Sequence, residues 1–166
     1  PYYKVHQTVV KDIHYDVNFA AMPAVDRCTS CHLGIANPDF VDAEQPFTTH
    51  PDLDLYLTSK SPHPEESFGC TSCHSGRSRG TSFISSAHTP NNPEQMKEWK
   101  EKYHWKPVKH WLQPMLPTRY TQASCFKCHQ NTSDLAGAEK INLGLTLIDR
   151  SGCNGCHVSA NWKSSG

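Results

Sequence analysis

The 166-residue sequence predicts a mostly irregular chain with short α-helices, long loops and little β structure, on three observations. Hydrophobic residues make up only 36% and mean hydropathy is -0.64, so the polypeptide buries little apolar surface by itself. The 12 prolines and 9 glycines suit loops that hold side chains at fixed angles. All eight cysteines fall into one pattern, Cys-x-x-Cys-His, which occurs four times: Cys28-Thr29-Ser30-Cys31-His32, Cys70-Thr71-Ser72-Cys73-His74, Cys125-Phe126-Lys127-Cys128-His129 and Cys153-Asn154-Gly155-Cys156-His157.

That spacing suits covalent attachment of c-type haem. Two thiols separated by two residues can bond the two vinyl groups on one porphyrin edge, and the adjacent imidazole can then ligate iron. A Cys-x-x-Cys pair is also used in zinc ribbons, iron–sulfur sites and thioredoxin-like redox sites, so the fifth residue decides. With 11 His in the chain, chance places His after all four pairs about 2 times in 100,000. The pattern therefore predicts four haems c on Cys28, Cys31, Cys70, Cys73, Cys125, Cys128, Cys153 and Cys156, with His32, His74, His129 and His157 as proximal iron ligands. No cysteine is left for a disulfide. The expected fold is a wrapper of short helices and loops whose core is the four macrocycles, in the way metals and disulfides replace a core in small scaffolds.

Residues 1–24 read as an N-terminal extended arm. Over 12–19 the alternation predicts a strand with Ile13, Tyr15, Val17 and Phe19 on one side, packed on its own domain or docked on a neighbouring subunit. Residues 25–134 form a three-haem region whose motifs start at unequal intervals, without a clean repeat. Within it, Asn92 as N-cap, Pro93 at the first helical position and Gln95 at the capping-box position predict a helix over 93–103. Met96, Trp99 and Tyr103 share its inner face, which makes Met96 a packing residue. Residues 135–166 hold a helix at 138–150, with Ile141, Leu145 and Ile148 inward and Gly152 just past its end, followed by the fourth motif.

Seven histidines remain for the sixth iron positions: His6, His14, His50, His63, His88, His104 and His110. His50-Pro51, His63-Pro64 and His88-Thr89-Pro90 lie in proline-restricted loops, and His110 adjoins Trp111, an aromatic able to cover a porphyrin edge. His50, His63, His88 and His110 are thus the leading distal candidates, with His14 next and His6 and His104 expected at the surface. Met115, in Gln113-Pro114-Met115-Leu116-Pro117, and Met22, in Met22-Pro23-Ala24, compete with them. Exchange of His for Met raises the reduction potential.

With four such motifs the chain resembles a tetrahaem c-type cytochrome. The stretches Val25 to Ile35, Ser61-Pro62-His63-Pro64 and Ala87-His88-Thr89-Pro90-Asn91 resemble bacterial multihaem cytochromes that precede a monohaem domain. Leu143-Gly144-Leu145 through His157 resembles the opening of a class I cytochrome c domain, and Met22-Pro23-Ala24 resembles that class's methionine loop. Such domains continue well past the motif, so the resemblance implies either a missing C-terminal domain or a fourth haem completed otherwise. It also implies haem attachment outside the cytoplasm, periplasmic or extracellular, and a targeting segment removed from or lying outside this sequence.

The expected function is non-enzymatic electron transfer through closely spaced haems, with other redox proteins as partners. Two architectures stay open: a carrier that is soluble or associated with a membrane respiratory complex, and a head-to-tail extracellular filament. A multihaem reductase with one open haem is the competing class. Balanced charge, 16 basic and 16 acidic residues, speaks against nucleic acid, and no run approaches the roughly 18 apolar residues of a membrane span.

Overall fold

The computed structural model describes residues 4–130, 132 and 134–157. The chain divides into two units, Pro1–Thr118 and Arg119–Gly166.

The first unit opens with a β-hairpin. Strand β1, Thr8–Val17, pairs antiparallel with β2, Ala20–Asp26, from Thr8 opposite Asp26 to Val17 opposite Ala20. The turn is Asn18-Phe19, both at positive φ (51° and 67°), a two-residue geometry that matches strand twist. This corrects the extended arm of 1–24: Phe19 sits fully exposed at the tip instead of on the strand's apolar side. Register slips between Val10 and His14, so the side-chain alternation expected over 12–19 is interrupted as well. The slip falls opposite Pro23, which has no N–H to donate to the ladder. What the hairpin buries is its far end, where Val10, Ala24, Val25 and Asp26 are all buried.

Two-residue strands β3, Tyr56–Leu57, and β4, His63–Pro64, pair in parallel. The one-turn helices α1, Glu65–Phe68, and α2, Thr71–His74, follow, joined through Gly69 at φ 62°. The hairpin packs on α1, and the Thr8 hydroxyl donates to Glu65 Oε1 at 2.7 Å. Helix α3, Pro93–Tyr103, starts as the sequence predicts: Gln95 N–H donates to Asn92 Oδ1 at 2.8 Å, and Gln95 Oε1 accepts from Asn91 N–H at 2.7 Å. It ends at His104 in the left-handed conformation.

In the second unit, helix α4 covers Glu139–Arg150, with Gly152 at φ 65° just beyond it. Leu145 is buried and Ile141 half-buried, whereas Ile148 is 38% exposed. The division after Thr118 differs from the expected boundary at 134/135. The third motif groups with the fourth, because α4 turns Ile141 and Leu145 toward the segment 119–126. Residues 158–166, with the expected end of the fourth-haem segment, lie outside the described residues.

Candidate haem-binding sites

All four Cys-x-x-Cys-His segments adopt the same local structure. In each, the second Cys and the His both donate their N–H to the carbonyl of the first Cys. Cys31 and His32 reach Cys28 at 3.1 and 3.0 Å, Cys73 and His74 reach Cys70 at 3.3 and 3.0 Å, and both Cys128 with His129 and Cys156 with His157 close at 3.2 and 2.9 Å. One turn of this kind brings residues one, four and five of the motif together. None of the eight cysteines is in a disulfide.

In the first unit the two motif histidines each face one of the sequence candidates. The His32 and His88 ring centres are 6.2 Å apart, and those of His74 and His50 are 6.3 Å apart. Two imidazoles on opposite sides of one metal ion, each bonded at about 2.0 Å with its ring centre about 1.1 Å further out, have centres roughly 6.2 Å apart. The donor set thus fits a bis-histidine iron at both motifs. The supply is crossed: His88 follows the second motif and faces the first, while His50, whose N–H donates to Ile35 O at 2.8 Å, hangs from the loop after the first motif and faces the second.

His88 is the more firmly held. Its Nδ1 lies 2.7 Å from Phe83 O, its ring stacks on Phe83 at 4.5 Å and 12°, and Trp105 Nε1 donates to its carbonyl at 2.8 Å. Phe83 in turn packs against Trp99 and Tyr103 of α3 at 4.9 and 4.6 Å. A carbonyl on Nδ1 leaves Nε2 for a metal. His63 is held in the same way, its Nδ1 3.1 Å from Leu55 O and its ring flanked by Tyr56 and Phe68 at 5.4 and 5.0 Å. At His50, Nδ1 accepts a long hydrogen bond from Asp52 N–H at 3.4 Å.

Burial favours the neutral form of His32, His50, His74 and His88, the form that ligates metal. It is the largest cause lowering His74 to about 4, with His50 and His32 adding repulsion. Burial also lowers His32, His50 and His88, opposed in part by Asp52 at His50 and the Phe83 carbonyl at His88. His32 Nδ1 is buried without a hydrogen bond of normal geometry, and the nearby Pro46 carbonyl partly opposes the lowering of the ring's pKa.

The remaining candidates are placed differently. Met115 is strapped to the second motif: it bridges to Ser75, Leu116 N–H donates to His74 O at 2.8 Å, and its side chain lies against Gly76. Met22 stands exposed on β2, in a strand where the sequence suggested a loop, and His14 is exposed on β1 opposite Pro23. His110 and His104 are exposed at positive φ, and exposed His6 ties its backbone to Ser30 Oγ at 2.8 Å.

Two features were not read from the sequence. The first is buried Asp26, whose carboxylate joins the first two motifs. The second is a cavity of about 590 Å³ in the second unit, lined by Tyr120, Phe126, Ile141, Leu145, Ile148 and the motif residues Cys153 and His157. Its size and apolar walls suit a large flat ligand. Arg119 and Lys140 also line it, cations suited to pair with carboxylate side groups. The periodicity of Ile141, Leu145 and Ile148 marked an apolar face; only the fold supplies the opposite wall.

Comparison with protein-family models, with curated proteins and with solved structures found no match to this chain. No helix among the described residues is long and apolar enough to cross a membrane.

Proposed function

We propose that the chain is a multihaem c-type cytochrome that passes electrons along four covalently bound haems. The observation that carries this reading is the pairing of a motif histidine with a second histidine at 6.2 and 6.3 Å, at both motifs of the first unit. A thioredoxin-like site has no use for that second histidine, and a tetrahedral zinc site with two Cys and two His would hold the ring centres only about 5 Å apart, closer than they lie here. When bound, each haem supplies a one-electron iron couple. The chain's residues would do the rest: the cysteines would hold each ring edge, His32 with His88 and His74 with His50 would bind the iron, and Phe83, stacked on His88, would shield that ligand from water. Closed axial positions favour a carrier over a catalyst, since catalysis needs an open iron.

His63 and His110 remain proposed distal ligands, with Met115, Met22 and His14 behind them, none of them assigned to a particular iron. Residues 119–166 contain no histidine other than His129 and His157 and no methionine. This observation favours a second reading of the architecture, in which a neighbouring copy supplies a ligand within a head-to-tail filament. The setting proposed is extracytoplasmic, with other redox proteins as partners.

An electronic spectrum tests the carrier reading. The reduced protein at high concentration should be wholly low-spin and should not bind carbon monoxide. A high-spin, carbon monoxide-binding fraction present at every concentration would instead support a reductase with one open iron. If that fraction emerges only on dilution, a ligand supplied by a neighbouring copy is supported.

A further inference from the structure

The carboxylate of Asp26 lies where the first two motifs meet. Only 2% of the residue is exposed, and both oxygens are engaged: Oδ2 accepts from Cys70 N–H at 2.5 Å and Thr71 N–H at 3.0 Å, and Oδ1 from the Thr71 hydroxyl at 2.8 Å. Asp26, Cys28 and Cys70 place their ligand atoms within 4.8 Å of one another. The two sulfurs belong to different motifs, so haems attached at these motifs would each have a linked edge beside this carboxylate. The surroundings are shaped to receive it. A Cβ on Gly69, which sits at φ 62°, would collide with Asp26 Oδ2 and stand 2.8 Å from Val10 Cγ2.

We propose that Asp26 is a positioning and potential-setting residue shared by the first two haems. It fastens the N-terminal end of the Cys70–His74 turn to the end of β2, and its fixed negative charge beside Cys28 and Cys70 lowers the reduction potential of both haems together. The inference rests on the four-haem reading. Its physics is that a buried anion favours the more positive ferric state over the ferrous one. Little water is present to screen it.

Two substitutions separate charge from structure. Asp26→Asn keeps the shape and one acceptor oxygen but removes the charge. Thr71→Val keeps the charge and removes one hydrogen bond that disperses it. Spectroelectrochemical titration of the intact protein should resolve one-electron transitions. In Asp26→Asn two of them should move upward by about tenfold in the redox equilibrium, roughly 59 mV for one electron. The others should stay in place. In Thr71→Val the same two should move downward by less. Opposite signs are the signature of charge, because loosened packing would move both variants the same way. Unmoved potentials, a common shift of every transition, or same-sign shifts in the two variants would overturn the proposal. Should Asp26→Asn fail to mature, Thr71→Val alone decides, a downward shift of two transitions supporting the proposal and none overturning it. Denaturing mass spectrometry of the unmodified protein keeps the two claims distinct: a chain without four haem groups sinks the functional reading, whereas four haems with unmoved potentials sink only the role of Asp26.

Discussion

His88 and His50 carry the most specific claim at the scale of single residues, because each faces a motif histidine across a gap of iron-bridging width. Replacement of either by Ala should open one iron, convert one haem from low to high spin and allow carbon monoxide to bind after reduction. A spectrum that stays wholly low-spin in His88→Ala would remove it as a ligand. His110→Ala, at an exposed position, should leave the irons at His32 and His74 unchanged. Gly69→Ala combines a positive-φ penalty with a collision against Asp26 and Val10, and should cost about 1–3 kcal/mol or more in a denaturant titration. The buried imidazoles add a pH dependence. Their values in the folded chain lie below the ordinary 6.5, with His74 at about 4, so the unfolded chain takes up more protons as pH falls through that window. The stability that depends on neutral rings is therefore full above about pH 6.5 and lost on acidification toward 4, and the denaturant midpoint should be lower at pH 5 than at pH 7.

Among the elements, α3 acts through one aromatic relay: Trp99 and Tyr103 hold Phe83, and Phe83 holds the His88 ring. Asn92→Ala should cost about 1 kcal/mol through the lost cap. Trp99→Ala should cost more, about 2–3 kcal/mol, at the lower end for aromatic truncation because Trp99 is only half-buried, and should broaden the low-spin signal of the His88 iron. On α4, Gly144 lines the cavity, and a Cβ added there would meet no atom within 4 Å. Gly144→Ala should therefore stabilise the helix by about 1 kcal/mol with its haem retained, while Gly144→Trp should fill the cavity and deplete haem at Cys153 and Cys156. The helix ends were legible in the sequence, since Asn92, Gln95 and Gly152 act on their immediate neighbours. The hairpin was not, because Asn18-Phe19 lacks a glycine and its reversal depends on pairing with residues beyond 19. Asp26 was hidden for the same reason: a carboxylate beside a motif reads as solvated until the fold brings Cys70 and Thr71 against it.

At the scale of the whole molecule, few apolar side chains are buried in either unit, among the described residues, and they cluster at the hairpin's end, near His88 and on α4. On the proposed four-haem reading, a chain so built depends on its haems for cohesion. Removal of one attachment site, Cys70→Ala with Cys73→Ala, should abolish protease resistance through the middle of the first unit as well as one haem. Native-like resistance in that variant would contradict the cofactor-as-core account. Pairing was only half legible: proline contexts singled out His50 and His88, but nothing local says that each faces the motif associated with the other's loop. The central claim, four covalent haems on four identical turns, is tested most directly by denaturing mass spectrometry of the chain matured where c-type haem is attached. The account predicts a single species at the polypeptide mass plus four haem groups. A mass with fewer haems, or the bare polypeptide with zinc present before denaturation, would contradict it.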